Sequence, residues 1–249
     1  MAEGGRILAE IMRELGKKVK PGVITKELDK AAEALIFKFG GKCSFKGYQN
    51  FPACLCTSIN EEIVHALPSQ RILKEGDIIS LDLGIQYQGF HNDMAITVPV
   101  GEIKPETKKL LEITEGALEI GIKRIKPGNQ IGDISRAIQK YVESNGFGVV
   151  RELCGHGIGR EIHEDPQVLN SVSFEKGMVN KVKYHEDGVI KIEKGMVLCL
   201  EPMVTVGDWH IKKARDGYGH ATKDGSLSCH FEHTVAVTKD GFRILTNLE

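Results

Sequence analysis

No apolar stretch in this 249-residue chain approaches the roughly 20 residues that a bilayer-spanning helix requires, so no membrane partner is expected. The N-terminus lacks the basic start, apolar core and small-residue cleavage site of a secretory signal, which points to the cytoplasm. Neither sign of charge dominates. Lysine and arginine number 33 against 34 aspartates and glutamates, so composition gives no reason to expect nucleic acid or an acidic surface as a partner. The six cysteines (Cys43, Cys54, Cys56, Cys154, Cys199 and Cys229) show no paired CxxC spacing. That argues against a cysteine zinc cluster and predicts reduced thiols in the core and around a site.

With 41% hydrophobic residues, the chain can bury a sizeable core as one domain or two fused lobes. Ile7, Leu8, Ile11, Met12 and Leu15 recur at helical spacing, which predicts a helix from Ala2 to Val19, stopped by Pro21-Gly22. A second helix restarts from Thr25 to Phe39, and a similar pair follows from Pro105 and from Ile131. β-rich runs come after the helices: Ile78 to Leu83, Ala95 to Val100, Met196 to Leu200 and Val235 to Thr238. Helices grouped ahead of strands predict an α+β fold, without the strict alternation of a doubly wound sheet.

The second half repeats the first. Lys17-Lys18-Val19-Lys20-Pro21-Gly22 returns as Lys123-Arg124-Ile125-Lys126-Pro127-Gly128, and His65 with Pro68 returns as His163 with Pro166. The apolar run ending at Asp82 returns as one ending at Glu201, and His91-Asn92-Asp93 returns as His230-Phe231-Glu232. The order is kept, which predicts two pseudo-symmetric lobes, roughly 1–102 and 103–249, in a single catalytic domain joined near Val100 to Lys104. Such lobes would push Asp82, Asp93, Glu201 and Glu232 into one cleft, and four carboxylates share a cleft only if cations neutralise them. The chain therefore reads as a metal-dependent enzyme.

Asp82 closes its apolar run and Asp93 follows across Tyr87-Gln88-Gly89, a spacing that lets a hairpin join the two carboxylates. Glu201 closes Val197 to Leu200 in the same manner, before Pro202. His156 supplies an imidazole from Cys154-Gly155-His156-Gly157-Ile158-Gly159, where glycines allow close backbone approach. An oxygen-rich set with one imidazole suits two divalent ions among Co, Mn, Fe and Zn, sharing carboxylates and a water.

Taken together, Ser58-Ile59-Asn60-Glu61 with His65, Asp82-Leu83-Gly84 with Gly89 to Asp93, the Cys154 to Gly159 motif, His163-Glu164-Asp165-Pro166, Leu200 to Met203 and Phe231 to Thr234 resemble the type I methionine aminopeptidases. The resemblance spans nearly the whole chain. It implies the pita-bread fold and hydrolytic removal of the initiator methionine from nascent polypeptides whose second residue is small. Asp82, Asp93, His156, Glu201 and Glu232 are then the ligands of a dinuclear centre, with Asp93 and Glu232 bridging. Hydrolysis needs an activated water, a polarised carbonyl and a protonated leaving amine. A metal-bound hydroxide meets the first need, and Glu201 is the best base for its proton. The resemblance places His163 against the substrate carbonyl or scissile nitrogen and His65 near the leaving group. His91, His185, His210, His220, His230 and His233 are left as surface or supporting residues.

Carried over by position, the methionine pocket is Phe45, Tyr48, Phe51, Cys56, Ile162 and Tyr218, an apolar, soft set suited to a thioether. Ile162 and Tyr218 stand where aromatic Phe and Trp are usual, which predicts looser selectivity. The chain starts almost at its first helix, without a zinc-finger or proline-rich arm of the kind that docks on the ribosome; a monomer acting on chains at the ribosome is expected. Between about 171 and 192 the chain is longer than the family norm. Glu175 to Val179 recurs as Glu193 to Val197 around Asp187-Gly188, which predicts an added hairpin or surface loop. Two rivals stand beside this reading: an Xaa-Pro peptidase of the same fold, whose large N-terminal domain has no room here, and a non-catalytic peptide-binding module, expected to have lost ligands.

Overall fold

The computed structural model describes residues 1–172 and 189–247. Helices α1 (Ala2–Gly16) and α2 (Thr25–Lys38) lead into strands β1 (Lys42–Cys43), β2 (Leu55–Ile59), β3 (Glu62–Val64), β4 (Ile78–Tyr87) and β5 (Phe90–Pro99). Helices α3 (Pro105–Ile122) and α4 (Ile131–Ser144) precede β6 (Gly148–Val149), β7 (Cys154–Gly157), β8 (Glu164–Leu169), β9 (Val197–Leu200) and β10 (Met203–Thr205). The chain continues through β11 (Ile211–Lys213), β12 (His220–Thr222), β13 (Ser228–His230), β14 (Glu232–Val237) and β15 (Phe242–Ile244). Helices before strands, joined by antiparallel pairing, make the α+β class that the periodicity predicts.

The main sheet runs β1-β4-β5-β14-β9-β7-β8, with β2 on β4 and β15 on β14. Strand alternation gives it two unlike faces. Ile79, Leu81, Leu83 and Ile85 of β4 pack with Leu8, Ile11, Leu15, Leu28 and Ile36 of α1 and α2. Leu198, Leu200 and Val235 pack with Leu110, Ala117, Ile134 and Ile138 of α3 and α4. The helices thus cover one face, and the intervening residues, Asp82 among them, turn to the other. β13, β10 and β6 form a small second sheet, and β11, β12 and β3 a third.

Local chemistry sets the boundaries. α1 ends at Gly16, short of Val19, because Lys18 and Val19 donate to Leu15 and Gly16 three residues back, a tightening that closes the last turn. Pro105 opens α3 at a position whose missing N–H costs nothing, and Gln130 and Asp133 cap α4 reciprocally. Gln88 and Gly89 both take positive φ, the backbone of a two-residue hairpin turn, so β4 and β5 pair without slippage.

Two further expectations change, and a third lies outside the described residues. Asp82 and Asp93 lie inside β4 and β5, because β1 pairs with β4 at Ile85 and Gln86 and β4 pairs with β5 out to Tyr87 and Phe90, beyond the apolar run of each strand. Cys43 and Cys54 are not free thiols: they form a disulfide, with Cα atoms 5.3 Å apart. Asp29 accepts the amides of Cys54 and Leu55 at 2.9 and 3.0 Å, which holds Cys54 against β1. The predicted hairpin falls largely on residues 173–188, outside the described residues. Its described flanks are held, since Ser171 bonds Gln139 and Ile192 donates to Asn129.

Candidate metal centre

Two rows of paired residues cross the open face of the main sheet. In one, Asp82 pairs with Ala95 and Ala95 with Glu232, and the β9–β14 register from Leu200↔His233 brings Glu201 alongside Glu232. In the next, Gly84 pairs with Asp93, Thr234 lies beside Asp93, and Cys199 and His156 complete the row. Residues paired across strands share a face, as do residues two apart along one strand. All five ligand-type side chains therefore converge by register alone. Ala95 and Gly84 keep the rows free of bulk, and Thr234 clamps Asp93 by bonding both its amide (2.9 Å) and its carbonyl (2.8 Å).

Glycine at two positions is required by packing. A Cβ on Gly155 would strike the Cys199 carbonyl, and one on Gly157 the Asp165 carbonyl. These contacts let β7 sit tightly between β8 and β9 and aim His156 inward. The carbonyl of Gly157 lies 2.8 Å from His156 Nδ1 and can only accept, so Nδ1 carries the proton and Nε2 keeps its lone pair. That Nε2 lies 3.7 Å from Glu201 Oε1.

The site is short of positive charge. Asp82, Asp93, Glu201 and Glu232 are buried, and Asp82 Oδ1 and Glu232 Oε1 have no hydrogen-bond partner. Burial, and then Asp93, push the Asp82 carboxyl well above its ordinary value. Burial followed by the neighbouring carboxylates does the same to Glu201 and Glu232, and burial raises Asp93 to about 7. Burial, and then His163, hold His156 down at about 3, so its imidazole is neutral and able to ligate. A buried acidic cluster with orphaned oxygens and a neutral imidazole fits divalent cations. Ligand atoms of Asp82, Asp93 and Glu232 lie within 4.8 Å of one another, as do those of His156, Cys199 and Glu232. Glu232 belongs to both groups.

Two imidazoles stand at the mouth. The His163 ring lies 4.3 Å from that of His156, and its Nδ1 is 3.0 Å from the Tyr48 hydroxyl, leaving Nε2 for a substrate. His65 sits at a positive φ, uncommon for a residue with a side chain, and its ring is 6.1 Å from His220. Desolvation within the cleft, and then His220, lower its pKa to about 4. Phe45 meets Phe51 edge-on at 6.5 Å, and Phe51 meets Tyr218 at 5.7 Å. Cys56 pairs with Asp82 and so shares the metal-facing side, while Ile162 is buried and adjoins His163 in the chain.

Residues 1–239 match metallopeptidase family M24. The chain belongs to that family. It is 47% identical over 248 residues to methionine aminopeptidase 1 of Bacillus subtilis, covering 100% of this chain and 95% of that one. The crystal structure of methionine aminopeptidase from Thermotoga maritima superposes with a TM-score of 0.91 at 42% identity, covering 99% of this chain and 95% of that chain. An Xaa-Pro dipeptidase from Bacillus anthracis shares the fold at a TM-score of 0.77 and 23% identity, but this chain spans 59% of that protein. The fold is the pita-bread fold, and this M24 member is an aminopeptidase that uses divalent metal. Among the described residues no helix is long and apolar enough to cross a membrane.

The sequence reading passed over several residues at the centre. Thr234 and Cys199 face the ligands, a placement legible in hindsight from strand alternation with Glu232 and Glu201. Of the histidines set aside, His230 is buried beside Glu201 and His220 stands beside His65, whereas His210 is bonded to Asp208 near the surface. His91 bonds Ser44 and His233 bonds Thr246, while His185 lies outside the described residues.

Proposed function

We propose that the chain removes the initiator methionine from nascent polypeptides in the cytoplasm, as a monomer, using two divalent ions held by Asp82, Asp93, His156, Glu201 and Glu232. The observation that carries this reading is the convergence of those five side chains on one sheet face, with orphaned carboxylate oxygens and Glu232 common to two ligand groups. When bound, the ions (Co, Mn, Fe or Zn) would polarise the scissile carbonyl and acidify a water. Glu201 is the base for the water's proton, since it stands at the edge of the cluster with Oε1 3.7 Å from His156 Nε2. His163, oriented by Tyr48, presents Nε2 to the carbonyl or the scissile nitrogen, and His65 contacts the backbone beyond it. Phe45, Tyr48, Phe51, Cys56, Ile162 and Tyr218 enclose the methionine side chain, and Asp93 and Glu232 are the carboxylates that would be shared between the two ions.

Assays of metal-stripped protein on Met-Ala and Xaa-Pro peptides, with each of the four metals returned in turn, test the proposal. Cleavage of Met-Ala that saturates at two ions per chain is expected. Preferential cleavage of Xaa-Pro peptides, or saturation at one ion, would overturn it.

A further inference from the structure

His230 lies at the end of β13, only 1% exposed, and neither of its ring nitrogens has a hydrogen-bond partner. Its backbone is fixed: its amide donates to Thr97 Oγ1 at 3.0 Å, the same hydroxyl donates to its carbonyl at 2.7 Å, and it pairs with Met203. The ring is thereby aimed at Glu201, with Nε2 3.8 Å from Oε2. The opposite oxygen, Oε1, faces His156 Nε2 at 3.7 Å. Glu201 thus stands between two imidazoles. One is turned by the Gly157 carbonyl so that its lone pair points at the metal centre. The other is free to point an N–H. A buried imidazole without partners gains most by giving its proton to the nearest acceptor, and the gap is within ~1 Å of a hydrogen bond.

We propose that His230 is a positioning residue for the metal centre: its neutral ring, protonated at Nε2, donates to Glu201 Oε2 and holds the carboxylate with Oε1 toward the metal. Metal ligands are commonly oriented by such outer hydrogen bonds, whose loss weakens metal affinity about 10- to 100-fold. The inference rests on Glu201 being a ligand, as proposed above.

Cobalt titration by calorimetry of wild type, E201Q, H230L and H230Q, with the visible spectrum of the bound cobalt, tests it. H230L keeps the bulk but loses the donor and should bind cobalt ~10-fold or more weakly with an altered spectrum. H230Q restores an N–H at similar reach and should stay within ~3-fold of wild type. Wild-type affinity and spectrum in H230L, or an equal loss in H230Q, would overturn the proposal. If E201Q binds cobalt as wild type does, the ligand assignment itself fails; if E201Q weakens binding and H230L does not, only the role of His230 fails. Should H230L not fold, long-range proton–nitrogen correlation spectra of the wild-type protein decide the matter: an Nε2–H ring at His230 supports the proposal and an Nδ1–H ring refutes it.

Discussion

Asparagine at position 93 should stabilise the metal-free protein and weaken the metal-loaded one. Burial raises the Asp93 pKa to about 7, even though the Met94 amide, 3.0 Å from Oδ1, favours the charged form. The folded value lies above the unfolded one of about 3.9, so the native state binds more protons between those values and stability falls as pH rises through them. The penalty is about 4 kcal/mol once both states are ionised, and about 3 kcal/mol of it accrues between pH 5 and pH 8. Asparagine keeps the shape and the oxygen that accepts from Met94 but carries no charge to desolvate.

The buried imidazoles titrate in the opposite sense. His65, His220 and His233 have values lowered to about 4, and His156 and His230 to about 3, so each costs stability as pH falls. Wild type and D93N share all five, so the imidazoles cancel in the difference, whereas Asp82, Glu201 and Glu232 lose the Asp93 charge that raises them and so add to the gap in the same direction. Urea unfolding of metal-stripped protein, followed by circular dichroism, should therefore show D93N more stable at pH 8, the gap shrinking at pH 5 by an amount on the order of 3 kcal/mol or more. With cobalt added the order should invert, because wild type gains more from binding. A metal-free D93N no more stable than wild type at pH 8, or a gap that widens toward acid, would refute the claim that a desolvated, uncompensated charge sits there.

Three further outcomes are expected. His163→Ala should lower kcat by about 10² or more while calorimetry finds metal binding unchanged, and Tyr48→Phe should act in the same direction but less, as fits a residue that orients the ring. Cys43→Ser opens the disulfide at the base of the loop carrying Phe45, Tyr48 and Phe51; KM for Met-Ala should rise several-fold with kcat little changed, the signature of an aromatic wall less well organised before binding. The double change Ile162→Phe with Tyr218→Trp should increase discrimination of Met-Ala over Leu-Ala by about 10-fold, measured as a ratio of kcat/KM.

Much of the fold was legible because the same alternation that buries Leu81 and Leu83 under helices must turn Asp82 and Gly84 to the other face. Helix starts at Thr25, Pro105 and Ile131 carried clear local signals. The ends of β4 and β5 did not, because those strands extend past their apolar runs where neighbouring strands supply partners, a cause that lies elsewhere in the chain. The disulfide was hidden for the same reason. Cys43 and Cys54 meet only because β1 pairs with β4 at Ile85 while Asp29 of α2 holds the amide of Cys54.

His230 shows where a repeat stops informing. By the internal repeat it corresponds to His91, two residues before a site carboxylate in each half. In the first half, His91 and Asp93 share the unbroken strand β5, and the His91 ring is spent on Ser44 and Gln86 near the hairpin turn. In the second half the strand breaks at Phe231: β14 begins at Glu232, and His230 leaves the main sheet to pair with Met203 in the small one. That break swings a side chain whose counterpart faces a loop toward Glu201 instead. Duplication preserved the order of residues and the face on which the carboxylates lie, since both follow from strand register. It did not preserve what each histidine touches, which depends on a single interruption of pairing that residue type and spacing do not announce.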